Sequence, residues 1–410
     1  MNRCKCRAAA LIAALLLPSA AASADPAAEA YQEGVTSLDK QDYDAAVTAF
    51  DEAIRLDPKN AAAHYQRGLA HGNQGEYDEA IADFTRAIRL DPSRAEAYNY
   101  RGIARKMKNE LNKAIADHTD AIRLDPNADA FNNRGIAYMT KGDVDKAIAD
   151  YTEAIRLDPQ CANAYYNLGA ACQRQGDFDK AIANYTEVIR LSPEDAEAYN
   201  SRGIVYGNKG DDDKAIADYA EAIRLNLEYP DAYYNLGLAY MRQGAIDKAI
   251  ANFTELIRLA PEDAETLSNR GIAYRNKGEY DKAITDSTEA IRLNPRFADA
   301  YCNRGFAYEK SGELDKAILD CTEAIRLNPR FAEAYNNRGI AYAGKGEQAK
   351  AEADFVQAEK LGFKGTSARK TPVRLFGGPT IALLILGIVI GSAWFWSYKR
   401  RQLPRLVRRS

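Results

Sequence analysis

Histidine is the side chain best suited to acid–base or metal chemistry near neutral pH, and this chain contains three: His64, His71 and His118. His64 and His71 are seven residues apart, so they share one face if the segment is helical, as a metal or proton-transfer pair would require. A catalytic site also needs a nucleophile tied to a base and to a group that orients it. Nothing beside these histidines supplies that combination. The sequence therefore predicts packing roles for them, and it predicts a protein that is not an enzyme, with no cofactor and no small-molecule substrate.

A different chemistry is offered by asparagines that recur along the chain. A carboxamide carries both donors and an acceptor, so a regular row of carboxamides can hold a polypeptide backbone whatever its side chains. The predicted peptide-binding residues are Asn99, Asn132, Asn133, Asn167, Asn200, Asn235, Asn269, Asn303, Asn336 and Asn337. The alternative is that repeat duplication copied asparagines along a solvated helix surface.

Acidic residues recur with the same period and form a second row. Its members are Glu96, Asp129, Glu197, Asp231, Glu265, Asp299 and Glu333. If this acidic rail faces the same groove as the asparagines, the groove prefers a basic or mixed-charge protein or peptide; the duplication alternative applies here too. The net charge of −3 conceals a strong segregation, because all 58 acidic residues fall within residues 25–362 with 42 basic ones, about −16 in total. Phosphate binding needs the opposite charge, so nucleic acid is not an expected partner.

Both rows belong to a repeat of 34 residues that runs from about Ala27 to Leu361. One glycine marks each copy, with a spacing of 34 and a single gap of 33. These unit glycines are Gly34, Gly68, Gly102, Gly135, Gly169, Gly203, Gly237, Gly271, Gly305 and Gly339. An alanine follows each of them by twelve residues, a mostly aromatic position by sixteen, and in eight copies a proline by twenty-four. The aromatic position holds His118, Ser287 and Cys321 in three copies.

Each of these residue types favours a pair of packed helices. Apolar residues fall at helical spacing within a copy, as at Ala147, Ile148, Tyr151 and Ile155. A later glycine, as in the "KGD" that ends at Asp143, stops the first helix, and the proline stops the second. Small residues on facing helices allow a close approach. One such pair cannot bury its apolar face alone, so neighbouring copies must stack into a solenoid.

Each copy is similar to the tetratricopeptide repeat (TPR) family in its length of 34 residues and in the positions of its alanine, its aromatic residue and its proline. The resemblance implies an all-α fold, an α-α superhelix of right-handed sense, with ten helix-turn-helix repeats over residues 25–361. It also implies that the first helix of each repeat lines the concave side, where the asparagines resemble the ladder of O-linked N-acetylglucosamine transferase. That enzyme's catalytic domain has no counterpart here. The lysine pattern of the chaperone-binding carboxylate clamp is absent as well.

Arginines recur on the second helix in the motif "IRL", and most have an acidic residue three positions earlier, as Glu153 precedes Arg156. That spacing favours surface ion pairs; the alternative is a site for a polyanion. The cysteines do not form a disulfide framework, although Cys302 and Cys321, on the two helices of one repeat, remain candidates for a bridge.

Residues 1–24 have the features of a secretory signal peptide: a basic start, an apolar run and the cleavage motif Ala22-Ser23-Ala24. We expect cleavage before Asp25; the alternative is an uncleaved anchor, which the shortness of the apolar run disfavours.

Beyond the repeats the sequence predicts a flexible basic linker (362–379), a transmembrane helix (380–398) and a basic tail (399–410). The predicted helix has 19 uncharged residues, about 28 Å at 1.5 Å per residue, with Trp394, Trp396 and Tyr398 at one end. The basic tail predicts that the C-terminus is cytoplasmic. The protein is then a single-pass cell-membrane protein whose repeat array lies outside the cytoplasm. The alanine-rich signal peptide suggests that this compartment is a bacterial periplasm. The alternative is a C-terminal sorting signal, which Gly377 and Gly378 weakly suggest.

The predicted function is therefore a scaffold or receptor that binds an extended polypeptide segment in the concave groove at the extracytoplasmic membrane surface. The alternative is a permanent structural or assembly subunit of a cell-envelope complex. A permanent subunit should show a contiguous apolar patch, whereas a receptor should not.

Overall fold

The computed structural model describes residues 25–364, where it contains twenty α-helices and no strand. The helices pair into ten helix-turn-helix repeats, which confirms the predicted all-α repeat fold. The predicted signal peptide, transmembrane helix and tail lie outside the described residues, as does the linker beyond residue 364. No helix of the described part is both long and apolar enough to cross a membrane.

The described residues form two compact units, 25–198 and 199–364. The first unit contains α1 (Pro26–Asp39), α2 (Tyr43–Leu56), α3 (Ala61–Gln74), α4 (Tyr77–Leu90), α5 (Ala95–Met107), α6 (Leu111–Leu124), α7 (Ala128–Lys141), α8 (Val144–Leu157), α9 (Ala162–Gln175) and α10 (Phe178–Leu191). The boundary falls within α11 (Ala196–Lys209). The second unit continues with α12 (Asp212–Leu225), α13 (Pro230–Arg242), α14 (Ile246–Leu259), α15 (Ala264–Lys277), α16 (Tyr280–Leu293), α17 (Ala298–Lys310), α18 (Leu314–Leu327), α19 (Ala332–Gly344) and α20 (Gln348–Lys360). Odd-numbered helices are the first helices of repeats 1 to 10, and even-numbered helices are the second.

The first helices end as predicted, on a residue in the left-handed conformation. In repeat 4 this is Gly142, with φ of 95°, and the N–H of the next residue, Asp143, donates to the carbonyl of Tyr138. Such a cap satisfies carbonyls that the helix leaves free. In repeats 1 and 3 the same conformation is held by Gln41 and Asn109, with φ of 62° and 60°. These two caps are strained, because a Cβ atom disfavours that region.

The helices of one repeat meet at the unit glycine. A Cβ atom on Gly237 would lie 2.5 Å from the ring of Phe253, and one on Gly135 would lie 2.6 Å from the ring of Tyr151. The alanine twelve residues after each glycine is at most 1% exposed in every repeat. The small residues and the aromatic ring therefore form one contact, in which the ring occupies the space that a larger first-helix side chain would need.

Within each unit, the first helices of neighbouring repeats contact each other. Examples are α5 with α7 and α7 with α9 in the first unit, and α15 with α17 and α17 with α19 in the second. No second helix makes a comparable contact with the next second helix in the described chain. The first helices thus form the more closely packed side of each stack, which we call the inner face.

Candidate peptide-binding face

The inner face carries both predicted rows. Each acidic rail residue lies in the first turn of its helix, and each asparagine lies about one turn further on, near the unit glycine. An acid and an asparagine three or four positions apart share one side of a helix, so both rows follow the same stripe.

In the first unit, asparagines of neighbouring repeats bond to one another. The Nδ2 atom of Asn167 donates to Oδ1 of Asn132 at 2.8 Å, and Nδ2 of Asn133 donates to Oδ1 of Asn99 at 3.3 Å. Asn132 is buried, whereas Asn99, Asn133 and Asn167 are half-buried. The ladder is therefore partly used to hold successive first helices in register.

The second unit continues the pattern with varied acceptors. Nδ2 of Asn235 donates to Oδ1 of Asn200 at 3.0 Å, and Nδ2 of Asn269 lies 3.4 Å from the Tyr234 hydroxyl. The remaining contacts are Asn303 to Oγ of Ser268 at 3.1 Å, Asn337 to Sγ of Cys302 at 3.4 Å, and Asn336 to Oδ1 of Asn337 at 3.5 Å. Asn200, Asn303 and Asn337 are buried, while Asn235, Asn269 and Asn336 keep exposed surface. This division between buried and accessible asparagines was not visible in the sequence.

The acidic rail is more accessible than the ladder. Glu96, Asp129, Asp231 and Asp299 are exposed, and Glu197, Glu265 and Glu333 are half-buried. Two glutamates accept hydrogen bonds from ladder-side tyrosines of the preceding repeat, Glu197 from Tyr166 at 3.0 Å and Glu265 from Tyr234 at 2.6 Å. These bonds join rail and ladder into one polar surface within each unit.

In repeats 8 to 10 the charges of two rail acids act on a third, Asp299. Surrounding protein raises the pKa of the Asp299 carboxyl by desolvation, although its side chain keeps a solvent-accessible edge, and the charges of Glu333 and Glu265 raise it further. A raised carboxyl pKa means that the anion is under-compensated where it stands.

A buried arginine of α15, Arg275, lies on this surface. Nη1 of Arg275 donates to Oδ1 of Asn303 at 3.1 Å and lies 3.4 Å from Oε1 of Glu333, and its guanidinium stands 4.7 Å from the centre of the Phe306 ring. Its side chain is only 9% exposed. Sequence analysis missed Arg275, because nothing in the repeat pattern marks a side chain that reaches two repeats ahead.

His118 packs against the unit glycine of its repeat, as its position in the aromatic slot predicts. Its Nδ1 atom lies 2.9 Å from Oδ1 of Asn99, which identifies Nδ1 as the protonated nitrogen of the neutral ring, and Nε2 has no hydrogen-bond partner in the described chain. Burial, with smaller contributions from the charges of Lys106 and Arg134, lowers the pKa of His118 to about 3. His118 is therefore a neutral structural group at physiological pH.

This burial predicts a pH-dependent stability. The unfolded chain takes up a proton at His118 near pH 6.5, whereas the folded chain does so only near pH 3, so stability falls as the pH drops between these values. Between pH 7 and pH 5 the wild type should lose about 2 kcal/mol more than His118→Phe, at about 1.4 kcal/mol per pH unit below 6.5. Urea unfolding followed by circular dichroism at both pH values measures the difference. Equal losses in the two proteins would contradict a buried neutral ring.

His64 and His71 flank an ion pair of their own repeat. Nδ1 of His64 lies 3.5 Å from Oδ1 of Asp83, and Nδ1 of His71 lies 2.7 Å from Oε2 of Glu76. Asp83 itself accepts two hydrogen bonds from Arg67. Within residues 25–364 no group of histidine, cysteine and acidic side chains has the arrangement of a metal site.

The ion pair at Asp83 is one of a series that the sequence analysis did not identify. In seven repeats the arginine just before the unit glycine forms two hydrogen bonds to an aspartate sixteen residues later, as Arg270 does to Asp286 with both distances 2.8 Å. The aspartates are buried. The seven pairs are Arg67–Asp83, Arg101–Asp117, Arg134–Asp150, Arg202–Asp218, Arg270–Asp286, Arg304–Asp320 and Arg338–Asp354.

A signal for these pairs was present in the sequence. Repeats 5 and 7 lack both the arginine and the aspartate, and have leucine and asparagine at these two positions. The replacements are Leu168 with Asn184 in repeat 5 and Leu236 with Asn252 in repeat 7. Asn184 and Asn252 donate to backbone carbonyls four residues earlier. Both also stand in Asn-X-Thr motifs within helices.

The recurrent "IRL" arginines form the predicted surface ion pairs. Arg156 bonds Glu153, and Arg326 bonds Glu323, on exposed second-helix surface. Such exposed pairs contribute little to stability. The four cysteines of the described chain are buried and unbridged, so the possible Cys302–Cys321 disulfide is not formed.

Sequence models of one repeat family match the chain. Three models are described as tetratricopeptide repeat. The first matches residues 132–196, the second matches residues 61–94, 230–263 and 298–331, and the third matches residues 184–217 and 321–353. A model described as TPR repeat matches residues 37–75, 208–244 and 271–312. Together these matches cover more than half of the chain. No curated protein sequence matches it.

Several solved structures have a similar fold. A tetratricopeptide repeat protein from Parabacteroides merdae ATCC 43184 is 23% identical and aligns over 58% of this chain and 94% of its own, with a TM-score of 0.47. MamA is 33% identical over 39% of this chain and 93% of its own, with a TM-score of 0.37. YrrB, described as a TPR protein with an unusual peptide-binding site, is 24% identical over 45% of this chain and 95% of its own, with a TM-score of 0.39.

Proposed function

The chain belongs to the tetratricopeptide repeat family, and on that premise we propose that its inner face binds an extended, basic or mixed-charge polypeptide segment. Repeats of this family mediate protein–protein interactions and scaffolding and are typically not catalytic. The proposal adds a site, the inner face, and a preference for positive charge.

The observation that carries the proposal is the crowding of carboxylates on three consecutive first helices. Burial raises the pKa of Asp299, the charges of Glu333 and Glu265 raise it further, and Nη1 of Arg275 lies 3.4 Å from Oε1 of Glu333. A lysine or arginine side chain of a ligand would relieve this repulsion. Charges of this kind chiefly set which partner binds and how fast it associates.

The ladder supports recognition of the ligand backbone. A carboxamide has two N–H donors and an acceptor, and the bonds between repeats use one donor of Asn167, Asn235 or Asn269. These three side chains keep exposed surface, so their remaining polar groups are available to a peptide. Because the bonds between repeats already hold the amides in place, little side-chain entropy is lost on binding.

The described surface favours reversible binding over a permanent subunit. Its exposed large apolar side chains are Leu56, Tyr100, Leu227 and Leu319, which lie in repeats 1, 3, 6 and 9. Single apolar residues of this kind do not form the contiguous patch that a permanent interface needs.

We place this activity at the extracytoplasmic surface of a cell membrane, with the chain anchored by residues 380–398 and its C-terminus in the cytoplasm. This part of the proposal rests on the sequence of residues 1–24 and 362–410 alone.

A displayed peptide library, selected on the full chain, tests the proposed function. Recovered peptides should be rich in lysine and arginine, and their affinity should fall about tenfold for the variant Glu265→Gln/Asp299→Asn. The matched control is Glu289→Gln/Glu323→Gln, which removes two charges from the second helices of the same repeats. Peptides without basic enrichment, or with equal losses in both variants, would overturn the proposal.

A further inference from the structure

Two first helices carry a cation four positions after the unit glycine, Lys106 in repeat 3 and Arg275 in repeat 8. The other eight repeats have an uncharged residue or a glutamate there. Arg275 shows what a cation at this position contacts. Its guanidinium reaches the ladder residue of the next repeat, Asn303, and the rail acid of the repeat after that, Glu333. A side chain at this position can therefore extend along the inner face toward the next two first helices.

Lys106 has no such partner. Its Nζ atom forms no hydrogen bond and no ion pair with any residue of the range 25–364, although the side chain is half-buried. Lys108, two positions further on, pairs with Asp78. Lysines seldom lose water to the protein without gaining a charged partner. Burial also lowers the pKa of the Lys106 ammonium, and no carboxylate acts against that shift.

The partner that Lys106 lacks is a rail acid. The residue that corresponds to Glu333, two repeats ahead of the cation, is Asn163 in the first turn of α9. Asn163 is the one neutral residue of the rail in repeats 3 to 10. Its side chain is exposed and forms no hydrogen bond within the described residues. Repeats 3 to 5 thus have the cation and, in Asn133, the ladder carboxamide of the Arg275 contact, but they lack its carboxylate.

The neighbouring charges decide which anion this place can accept. The rail acids of repeats 3 and 4, Glu96 and Asp129, are exposed on the same face. They would repel a phosphate group, which carries up to two negative charges, more strongly than a carboxylate with one. A carboxylate also has two oxygens, so it can accept from an ammonium and from a carboxamide N–H at once.

We propose that Lys106, together with Asn133 and Asn163, binds a carboxylate of the polypeptide that occupies the inner face of repeats 3 to 5. The inference rests on the proposed function, because it concerns the same face, and it assigns the place of the negative charge in a mixed-charge ligand. The ligand carboxylate takes the role that Glu333 has beside Arg275. An acid at Lys106 and bases at the rail acids fix the register of the ligand, since the reverse arrangement puts like charges together.

The test selects a displayed peptide library on the full chain and on three variants. Peptides from the wild type should share an aspartate or glutamate at one position beside their basic residues. With Lys106→Glu that position should become lysine or arginine. Asn163→Glu, an exposed change that supplies the missing rail acid, should remove the preference for an acid. The matched control is Lys113→Glu in the same repeat, where Lys113 pairs with Glu110 on exposed second-helix surface, and it should select the same peptides as the wild type.

The most enriched wild-type peptide is then synthesised with its acid and with the corresponding amide, and binding is measured by fluorescence anisotropy. The amide should weaken binding about tenfold to the wild type and to Lys113→Glu, and should leave binding to Asn163→Glu unchanged. An amidated C-terminus is the further arm. A loss of affinity on amidation would identify the terminal carboxylate as the bound group, and equal affinity would identify an acidic side chain.

The outcomes separate this inference from the proposed function. Basic peptides without a shared acid, or an acid that Lys106→Glu still selects, overturn the carboxylate site and leave the proposed function standing. A shared acid that depends on Lys106, in peptides without basic enrichment, supports the carboxylate site and contradicts the preference for positive charge. A library that yields neither acidic nor basic enrichment overturns both.

Discussion

Replacing Arg270 with leucine is expected to destabilise the second unit by about 3 kcal/mol, because it leaves the buried carboxylate of Asp286 without its cation. The same change removes the hydrogen bond from Arg270 to Thr254 of the preceding repeat, at 3.1 Å. Both chromophores suited to fluorescence, Trp394 and Trp396, lie outside the array. Urea unfolding by far-ultraviolet circular dichroism, with amide hydrogen exchange to locate the loss in repeat 8, measures the effect.

The double variant Arg270→Leu/Asp286→Asn should recover most of that loss. It copies repeats 5 and 7, where leucine is next to the unit glycine and asparagine bonds its own helix. Arg292→Gln is the matched control, because Arg292 pairs with Glu289 on exposed surface of the same repeat and should matter little. A double variant as unstable as the single one would show that the arginine contributes through contacts other than the buried aspartate.

Gly237→Ala and Gly271→Ala, identical substitutions at equivalent positions, are expected to have opposite effects. A Cβ atom on Gly237 would lie 2.5 Å from the ring of Phe253, so the ring must move, at a cost of about 1–3 kcal/mol. A Cβ atom on Gly271 would meet Oγ of Ser287 at 3.4 Å, an ordinary contact. Alanine should then stabilise α15 by about 0.5–1 kcal/mol through its better helix propensity.

The two variants need the same measurement, unfolding in urea, and each is the other's control. Ser287→Phe in the Gly271→Ala background should bring the clash back and reverse the gain. If Gly271→Ala were as harmful as Gly237→Ala, the glycine would be required by the backbone rather than by the ring that faces it.

Much of the fold was predictable because it is local and repeated. Ten glycines, their alanines and their prolines define helix, turn and helix within 34 residues, and a solenoid repeats one contact between neighbours. A capping glycine such as Gly142 is recognisable for the same reason, since its conformation depends on adjacent residues. The single gap of 33, between Gly102 and Gly135, was also predictable as a local change, and the turn before α7 absorbs it with Asn127 as the cap.

The candidate site was predictable only as a set of positions. Periodicity placed Asn235 and Asn303 in one row, but the structure leaves the first partly exposed and buries the second. The cause is the side chain that each repeat presents to the next, which varies from asparagine to serine or cysteine. Binding by the asparagines and by the acidic rail remains a prediction.

The sequence by itself determined the helix pairs, their number and the negative charge of the array, because these follow from local pattern and composition. Only the tertiary structure decided which amides are consumed between repeats, that seven aspartates are buried against arginines, and that Arg275 reaches Glu333 across two repeats. Those contacts join residues 16 to 58 positions apart. They depend on how one repeat is rotated against the next, and no single 34-residue pattern contains that information.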